Sequence, residues 1–222
     1  MTILWNTSPQ QSDEWFAARK GCITGSMFAT ARDKTAKGAM TSKATLYAMD
    51  TARERAGGTA AGVYVNAAMK FGTDQEPLAR MAYEALTGML VQEVGFAYTD
   101  DRKFGCSVDG LVGNDGMVEI KTMVSSATLF AAVVDRDYSA YLDQIDGAIW
   151  LLNLAWCDLC LWAPDLPAGQ LTVVRIERDE ARIELLETDL VAFDRTVARL
   201  AARLREKTGQ PNEEIAIAAP TF

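Results

Sequence analysis

The sequence predicts an α/β fold of the α+β kind: a central mixed β-sheet flanked by helices. Three observations predict it. The middle of the chain is rich in strand-like words around Asn114-Asp115-Gly116. Both flanks carry helix caps and helical periodicity. The chain has 222 residues, 49% of them hydrophobic, enough to bury one sizeable core. We expect one domain over residues 1–208 and a weakly ordered tail over 209–222.

The elements follow in order. Ser12 caps a short helix with an acidic first turn, Asp13 and Glu14, ending at Gly21. Thr24 or Ser26 opens another. Residues 33–42 read as a mobile loop, and a helix spans about Ser42 to Arg55 before Gly57-Gly58. The next helix runs from about Asn66 to Leu86, with a possible break near Gly72, and stops at Gly88. Residues 89–98 form a first candidate strand. FGCSVDGLV (104–112) and MVEIKTMV (117–124) form two more, and the Asp-Gly turn between them signals a hairpin. Helices fit 125–134 and 139–152, and strands fit 155–162 and 171–178, split by the Pro164–Pro167 turn. Ile183, Leu186, Leu190, Phe193, Val197, Leu200 and Leu204 step by three and four, a single apolar stripe on a last helix.

Composition excludes much. There is no His, hence no Ser-His-Asp triad, Cys-His pair or His-based zinc site. No glycine-rich phosphate loop of the P-loop or dinucleotide type appears. Cys157 and Cys160 make a C-x-x-C inside an apolar, Trp-rich run, and with Cys22 and Cys106 they read as buried free thiols. No 18-residue apolar run spans a membrane, and MTILWNTSPQQSDEW lacks the build of a signal peptide. The expectation is a soluble, cytoplasmic protein. Net charge is −8, yet residues 17–56 hold eight Lys or Arg against three acids. Such a basic zone on an acidic body suits a local grip on a phosphate backbone, or else is a solvated helical face.

Catalysis must then run on carboxylates, lysine and a metal. Glu119 and Lys121 lie two apart on the third strand and share a face, with Val118 and Ile120 on the other. Taken alone, that face is ordinary surface. The turn, however, folds Asp109 back beside Glu119. Two carboxylates and an ammonium suit phosphodiester hydrolysis: Mg²⁺ takes hard oxygen ligands and keeps several waters. It polarises the phosphate and activates water, while lysine adds positive charge at the transition state.

The words S-x-D-G-L and E-I-K resemble the signature of the PD-(D/E)xK nucleases, with a restriction-endonuclease-like core. DEWFAARKGCITGS (13–26), KFGTDQEPLAR (70–80), CSVDGLVGNDGMVEIK (106–121) and YLDQIDGAIW (141–150) occur in the order seen in the lambda exonuclease and YqaJ viral recombinase family. WCDLCLWAPDL (156–166) and VVRIERDE (173–180) resemble its closing strands. The resemblance implies a Mg²⁺-dependent 5′-to-3′ exonuclease acting on double-stranded DNA ends, with two ions and Mn²⁺ able to substitute. It implies release of 5′-mononucleotides, a 3′ overhang for a single-strand annealing protein, a homotrimeric ring, and a phage or prophage origin in a bacterial cell. By the same resemblance Asp109, Glu119, the backbone carbonyl of Ile120 and Glu76 are metal ligands. Lys121 and Gln144 are catalytic. Arg19, Ser26, Ser107, Trp15 and Tyr141 hold the 5′-phosphate and terminal DNA. The basic loop Arg32–Lys43 is expected near the DNA backbone. The sequence departs from the family at Val108, where the motif has proline, and at Thr122-Met123-Val124 after the lysine. The rival readings are an endonuclease or junction-cutting enzyme of the same superfamily, and a non-catalytic DNA-end-binding protein.

Overall fold

The computed structural model describes residues 1–60 and 67–209. Two sheets organise it. The larger has strand order β3 (Val91–Gln92), β6 (Gly110–Val112), β7 (Gly116–Thr122), β8 (Trp156–Trp162), β9 (Leu171–Glu177). Only β7 and β8 run parallel in it. A parallel pair needs a crossover, here α5 (Ser126–Leu129), a π-helical turn (Phe130–Val134) and α6 (Ser139–Leu152). The smaller sheet has order β1 (Ile3–Asn6), β4 (Phe96–Thr99), β5 (Phe104–Cys106), β2 (Ile23–Thr24).

Helices cover both faces of the larger sheet. On one, α6 packs with α2 (Phe28–Ala31), α3 (Ser42–Arg55) and α7 (Glu180–Thr208), burying Phe28, Ile145, Leu159, Leu161 and Phe193. On the other lies α4 (Ala67–Thr87), whose Ala79 and Tyr83 pack on Val118, Ile120, Cys160 and Trp162. α1 (Asp13–Arg19) begins at Ser12, whose hydroxyl accepts from the Trp15 N–H, the expected cap. The stripe on α7 is buried from Ile183 to Val197, while Leu204 is exposed. All four cysteines are buried free thiols.

Several expectations change. The stretch 89–98 is two strands, β3 and β4, in different sheets. The switch falls at Gly95, where a Cβ would lie 1.9 Å from the Asn6 carbonyl oxygen, so only glycine passes. The stretch 104–112 divides likewise into β5 and β6, and Ser107-Val108-Asp109 bridges the two sheets. Strands β1 and β2, four and two residues long, went unread because neither is long enough to show periodicity. Residues 125–134 form one α-turn and one π-turn. Loop 33–42 is tied by a bridge between Lys34 and Met40. The expected start of α4 at Asn66 and the tail beyond Gly209 lie outside the described residues.

Candidate active site

The β6–β7 hairpin forms as the Asp-Gly turn requires, pairing Gly110 with Val118 and Val112 with Gly116. β6 starts only at Gly110, so β7 runs on beyond it with a free edge. Asp109 fills that gap: its Oδ2 accepts the Ile120 N–H at 2.6 Å, taking the place of a strand partner. The hairpin therefore delivers the Asp109 carboxylate to the Glu119–Lys121 segment, as expected.

The face carrying Glu119 and Lys121 is not surface. Because β7 is paired with β8 on one edge, covered by Asp109 on the other and flanked by helices, Glu119 is only 2% exposed. A carboxylate cannot be buried without compensation. Lys121 Nζ lies 2.7 Å from Glu119 Oε1, and Gln144 Nε2 donates to the same oxygen at 2.5 Å. Gln144 Oε1 in turn accepts from Lys121 Nζ at 3.1 Å, which closes a triangle. Among the described residues Glu119 Oε2 has no hydrogen-bond partner, a buried orphan in the site.

Electrostatics point the same way. Burial pushes the Asp109 carboxyl well above the usual carboxylate range, and the negative charges of Glu119 and Glu76 push it further. The Glu76 carboxyl is also raised, first by burial and then by Glu119, against the opposing pull of Arg80 and Lys121. Burial works against the Lys121 ammonium, but Glu119 and Asp109 outweigh it and hold its pKa above normal. Lys121 is thus a fixed positive charge, and the site's unmet need is for a cation. Among the described residues no group of three Cys, Asp or Glu is close enough to hold an ion unaided. Asp109 and the free oxygen of Glu119 nonetheless form a hard-oxygen pair that suits Mg²⁺, with water completing the shell.

The second cluster lies one residue from the first, across Val108. Trp15 Nε1 donates to Ser107 Oγ at 3.0 Å, and Arg19 Nη1 reaches the same hydroxyl at 3.5 Å. The Arg19 guanidinium lies 4.1 Å above the Trp15 ring centroid and 5.3 Å from that of Phe96. Burial lowers its pKa, and among the described residues it pairs with no carboxylate. Trp15 itself is 8% exposed and packs with Ala18, Cys22 and Phe96. Its ring forms a packed floor beneath the Arg19 guanidinium. Ser26 is exposed on the 3₁₀ turn Gly25–Met27. The parallel β2–β5 register, Thr24 beside Gly105, brings this turn level with Ser107. Tyr141 lies on α6 one turn before Gln144 and close enough to act on the Lys121 charge.

Not every predicted cation is free. Arg32 pairs with Asp143 at 2.7 Å and with Asp189 at 3.0 Å, and Lys34 pairs with Asp189. Arg55 pairs with Asp194. These residues of the basic zone staple α2 and α3 to α6 and α7, whereas Lys37 and Lys43 of the 32–43 loop are exposed. The sequence reading missed two features. Gln10 Nε2 donates to the Val108 carbonyl at 3.1 Å, holding the bridge between the clusters. Arg80, paired with Glu93, lines with Glu76 and Asp109 a cavity of about 850 Å³ beside the site. Gln10 carries no recognisable motif, but Arg80 stands one turn from Glu76 within the KFGTDQEPLAR word.

A mixed sheet bearing Asp109 at the broken edge and Glu119-x-Lys121 on the adjoining strand defines the class: a restriction-endonuclease-like core of the PD-(D/E)xK type. Residues 14–152 match the family model of the YqaJ-like viral recombinase domain, and the chain belongs to that family. Its fold is similar to that of an alkaline exonuclease, LHK-Exo, from Laribacter hongkongensis, with 33% identity and a TM-score of 0.78 over 89% of this chain and 98% of that one. The same enzyme in complex with dAMP matches with a TM-score of 0.79. A phage-related exonuclease from Haemophilus somnus 129PT shares the fold at 15% identity, with a TM-score of 0.65 over 82% of this chain and 96% of that one. No curated protein matches the chain.

Proposed function

We propose that this protein is a Mg²⁺-dependent exonuclease that degrades one strand of duplex DNA from its 5′ end. It releases 5′-mononucleotides and leaves a 3′ single-stranded overhang for recombination by strand annealing. The observation that carries the reading is the buried Glu119 carboxylate, with one oxygen held by Lys121 and Gln144 and the other without a partner among the described residues. Across Val108 stands the Arg19 guanidinium, which shares Ser107 with Trp15 and pairs with no carboxylate among the described residues.

Asp109 and Glu119 would hold Mg²⁺, with Glu76 close by. The two groups of a strand residue point to the same edge, so the Ile120 carbonyl faces the gap with its N–H and would be a further ligand. A bound divalent ion supplies Lewis-acid activation of the scissile phosphate and of the attacking water, with two ions able to serve both sides. Mn²⁺ offers the same hard acid. The chain's own residues do the rest. Lys121, kept protonated, stabilises charge on the phosphoryl oxygens. Gln144 fixes Lys121 and Glu119 in one geometry, and Tyr141 faces the same site from α6. Arg19, with Ser107 and Ser26, receives the terminal 5′-phosphate through charge-assisted hydrogen bonds. That phosphate sets which phosphodiester bond lies at Asp109 and Glu119, and so gives polarity.

The likeness to LHK-Exo, an alkaline exonuclease, supports exonucleolytic action over cleavage within a closed circle. The pH direction agrees: carboxylates raised by burial, and further by one another's negative charge, deprotonate and accept a cation more readily as pH climbs. The acting unit is residues 1–208 as one nuclease domain. Phe71, Leu78 and Met81 lie exposed along one face of α4, an apolar surface that would suit contact between copies; the ring of three is what the family resemblance implies. Among the described residues no helix is long and apolar enough to cross a membrane. We place the enzyme in the cytoplasm of a phage-bearing bacterial cell, with a single-strand annealing protein taking up the overhang.

The test is direct. Linear duplexes with labelled 5′ or 3′ ends, and closed circular DNA, are incubated with the protein and with Lys121→Ala, in Mg²⁺ or in chelator. We expect mononucleotide release from linear DNA only, from the 5′-terminated strand, abolished by chelator and by the substitution. Cleavage of the closed circle would favour an endonuclease, and binding of ends without any release would favour the non-catalytic reading.

A further inference from the structure

Glu76 reaches the site from the wrong side of the sheet. Its helix, α4, packs on Val118 and Ile120, whereas Glu119 and Lys121 face α6. Glu76 and Asp109 line the same cavity, and the charge of one acts on the other, so the placement of Glu76 depends on how α4 is held. The helix is locally weak there: Pro77, in its interior, offers no N–H to the Thr73 carbonyl.

The compensation comes from β8. On one side of Pro77, Trp162 Nε1 donates to Gln75 Oε1 at 3.1 Å. On the other, the fully buried Tyr83 donates its hydroxyl to Asp158 Oδ2 at 2.7 Å. Arg175 grips the same carboxylate, Nε to Oδ1 at 2.5 Å and Nη2 to Oδ2 at 3.0 Å, and lies 3.6 Å over the Trp156 ring centroid. Asp158 and Trp162 share one face of β8. Glu76 and Tyr83, seven residues apart, share one face of α4 two turns along.

Asp158 is only 3% exposed. An apolar pair of similar volume commonly stabilises such a position as well or better. What an apolar contact lacks is direction: it lets a helix slide and roll. We propose that Tyr83, Asp158 and Arg175 form a positioning network which, with Gln75 and Trp162, locks the register of α4 so that Glu76 stands beside Asp109 and Glu119. None of the five touches substrate; they act through Glu76. The inference rests on the reading of Glu76 as part of the cation site.

The test uses Tyr83→Phe, Gln75→Ala, Glu76→Gln and the double variant Tyr83→Phe/Glu76→Gln, all as full chains. Mn²⁺ affinity is read on the metal-free protein without DNA by paramagnetic resonance. Amide exchange is followed over residues 72–80, and kcat and KM are measured on 5′-phosphorylated duplex. Tyr83→Phe should weaken Mn²⁺ binding about three- to tenfold, the effect of one lost hydrogen bond. It should lower kcat comparably, leave KM for DNA unchanged and speed exchange around Glu76. In the Glu76→Gln background it should add nothing. Gln75→Ala, which leaves the buried core intact, should repeat the pattern. If Glu76→Gln impairs the protein while Tyr83→Phe is silent, or while the two effects simply multiply, the network is overturned alone. If Glu76→Gln leaves Mn²⁺ affinity and kcat untouched, the assignment of Glu76 falls, and this inference with it.

Discussion

Replacing Arg19 tests the coupling of the two clusters. Its guanidinium is partly buried, stacked on Trp15, bonded weakly to Ser107 and unmatched by a carboxylate. Burial without a counter-charge costs free energy, visible in its lowered pKa. A phosphate monoester would remove that cost and add charge-assisted hydrogen bonds worth about 1.5–3 kcal/mol. Arg19→Ala should therefore lower kcat/KM on 5′-phosphorylated duplex by roughly 10- to 150-fold. On 5′-hydroxyl duplex the loss should be within about threefold, because no phosphate is there to miss. Arg19→Lys keeps the charge but not the planar fork, and should fall between the two. The assay is single-turnover release of the terminal nucleotide from paired substrates that differ only in the end group, in fixed Mg²⁺ and salt. Equal losses on both substrates would refute the reasoning, since Arg19 would then be a structural residue of the α1 cluster.

Three further outcomes follow from the geometry. Gln144→Ala should lower kcat about 10- to 100-fold with little change in KM, because it frees Lys121 and Glu119 without touching the DNA end. Asp109→Asn should make the metal-free protein more stable at alkaline pH. The raised Asp109 pKa means that its contribution is full below the unfolded value near pH 4 and is lost as pH rises through the folded value. Thermal melting in chelator should show the variant above the parent at pH 8, by about 2–4 °C per kcal/mol, with the gap closing toward pH 4. Added Mg²⁺ should raise the parent and not the variant. Gly147→Ala should cost about 1–3 kcal/mol in urea unfolding, because its Cβ would lie 2.2 Å from a ring carbon of the buried Phe28.

Much of the site was legible along the chain. Glu119 and Lys121 are two apart, and a strand must put them on one face. Asn114-Asp115-Gly116 must turn, and Asp109 must come back opposite. These are local rules of backbone geometry, which hold wherever the segment ends up. The cap at Ser12 and the stripe of α7 are local in the same sense.

Tertiary packing decided the rest. Sequence alternation left Glu119 at the surface; pairing β7 with β8 under α6, with Asp109 on the other edge, buried it. The basic run at 17–56 was visible as charge, but only the fold could divide it into Arg32, Lys34 and Arg55, spent on Asp143, Asp189 and Asp194, and Arg19, left without a counter-ion. Composition counts charges, whereas solvation and partners set what each charge does. The change of sheet at Gly95 and the clamp of Tyr83 on Asp158 join residues far apart in the chain. By itself the sequence determined which groups can do chemistry and which of them share a strand. Burial and long-range contact, which no local spacing encodes, decided which of those groups stand ready to do it.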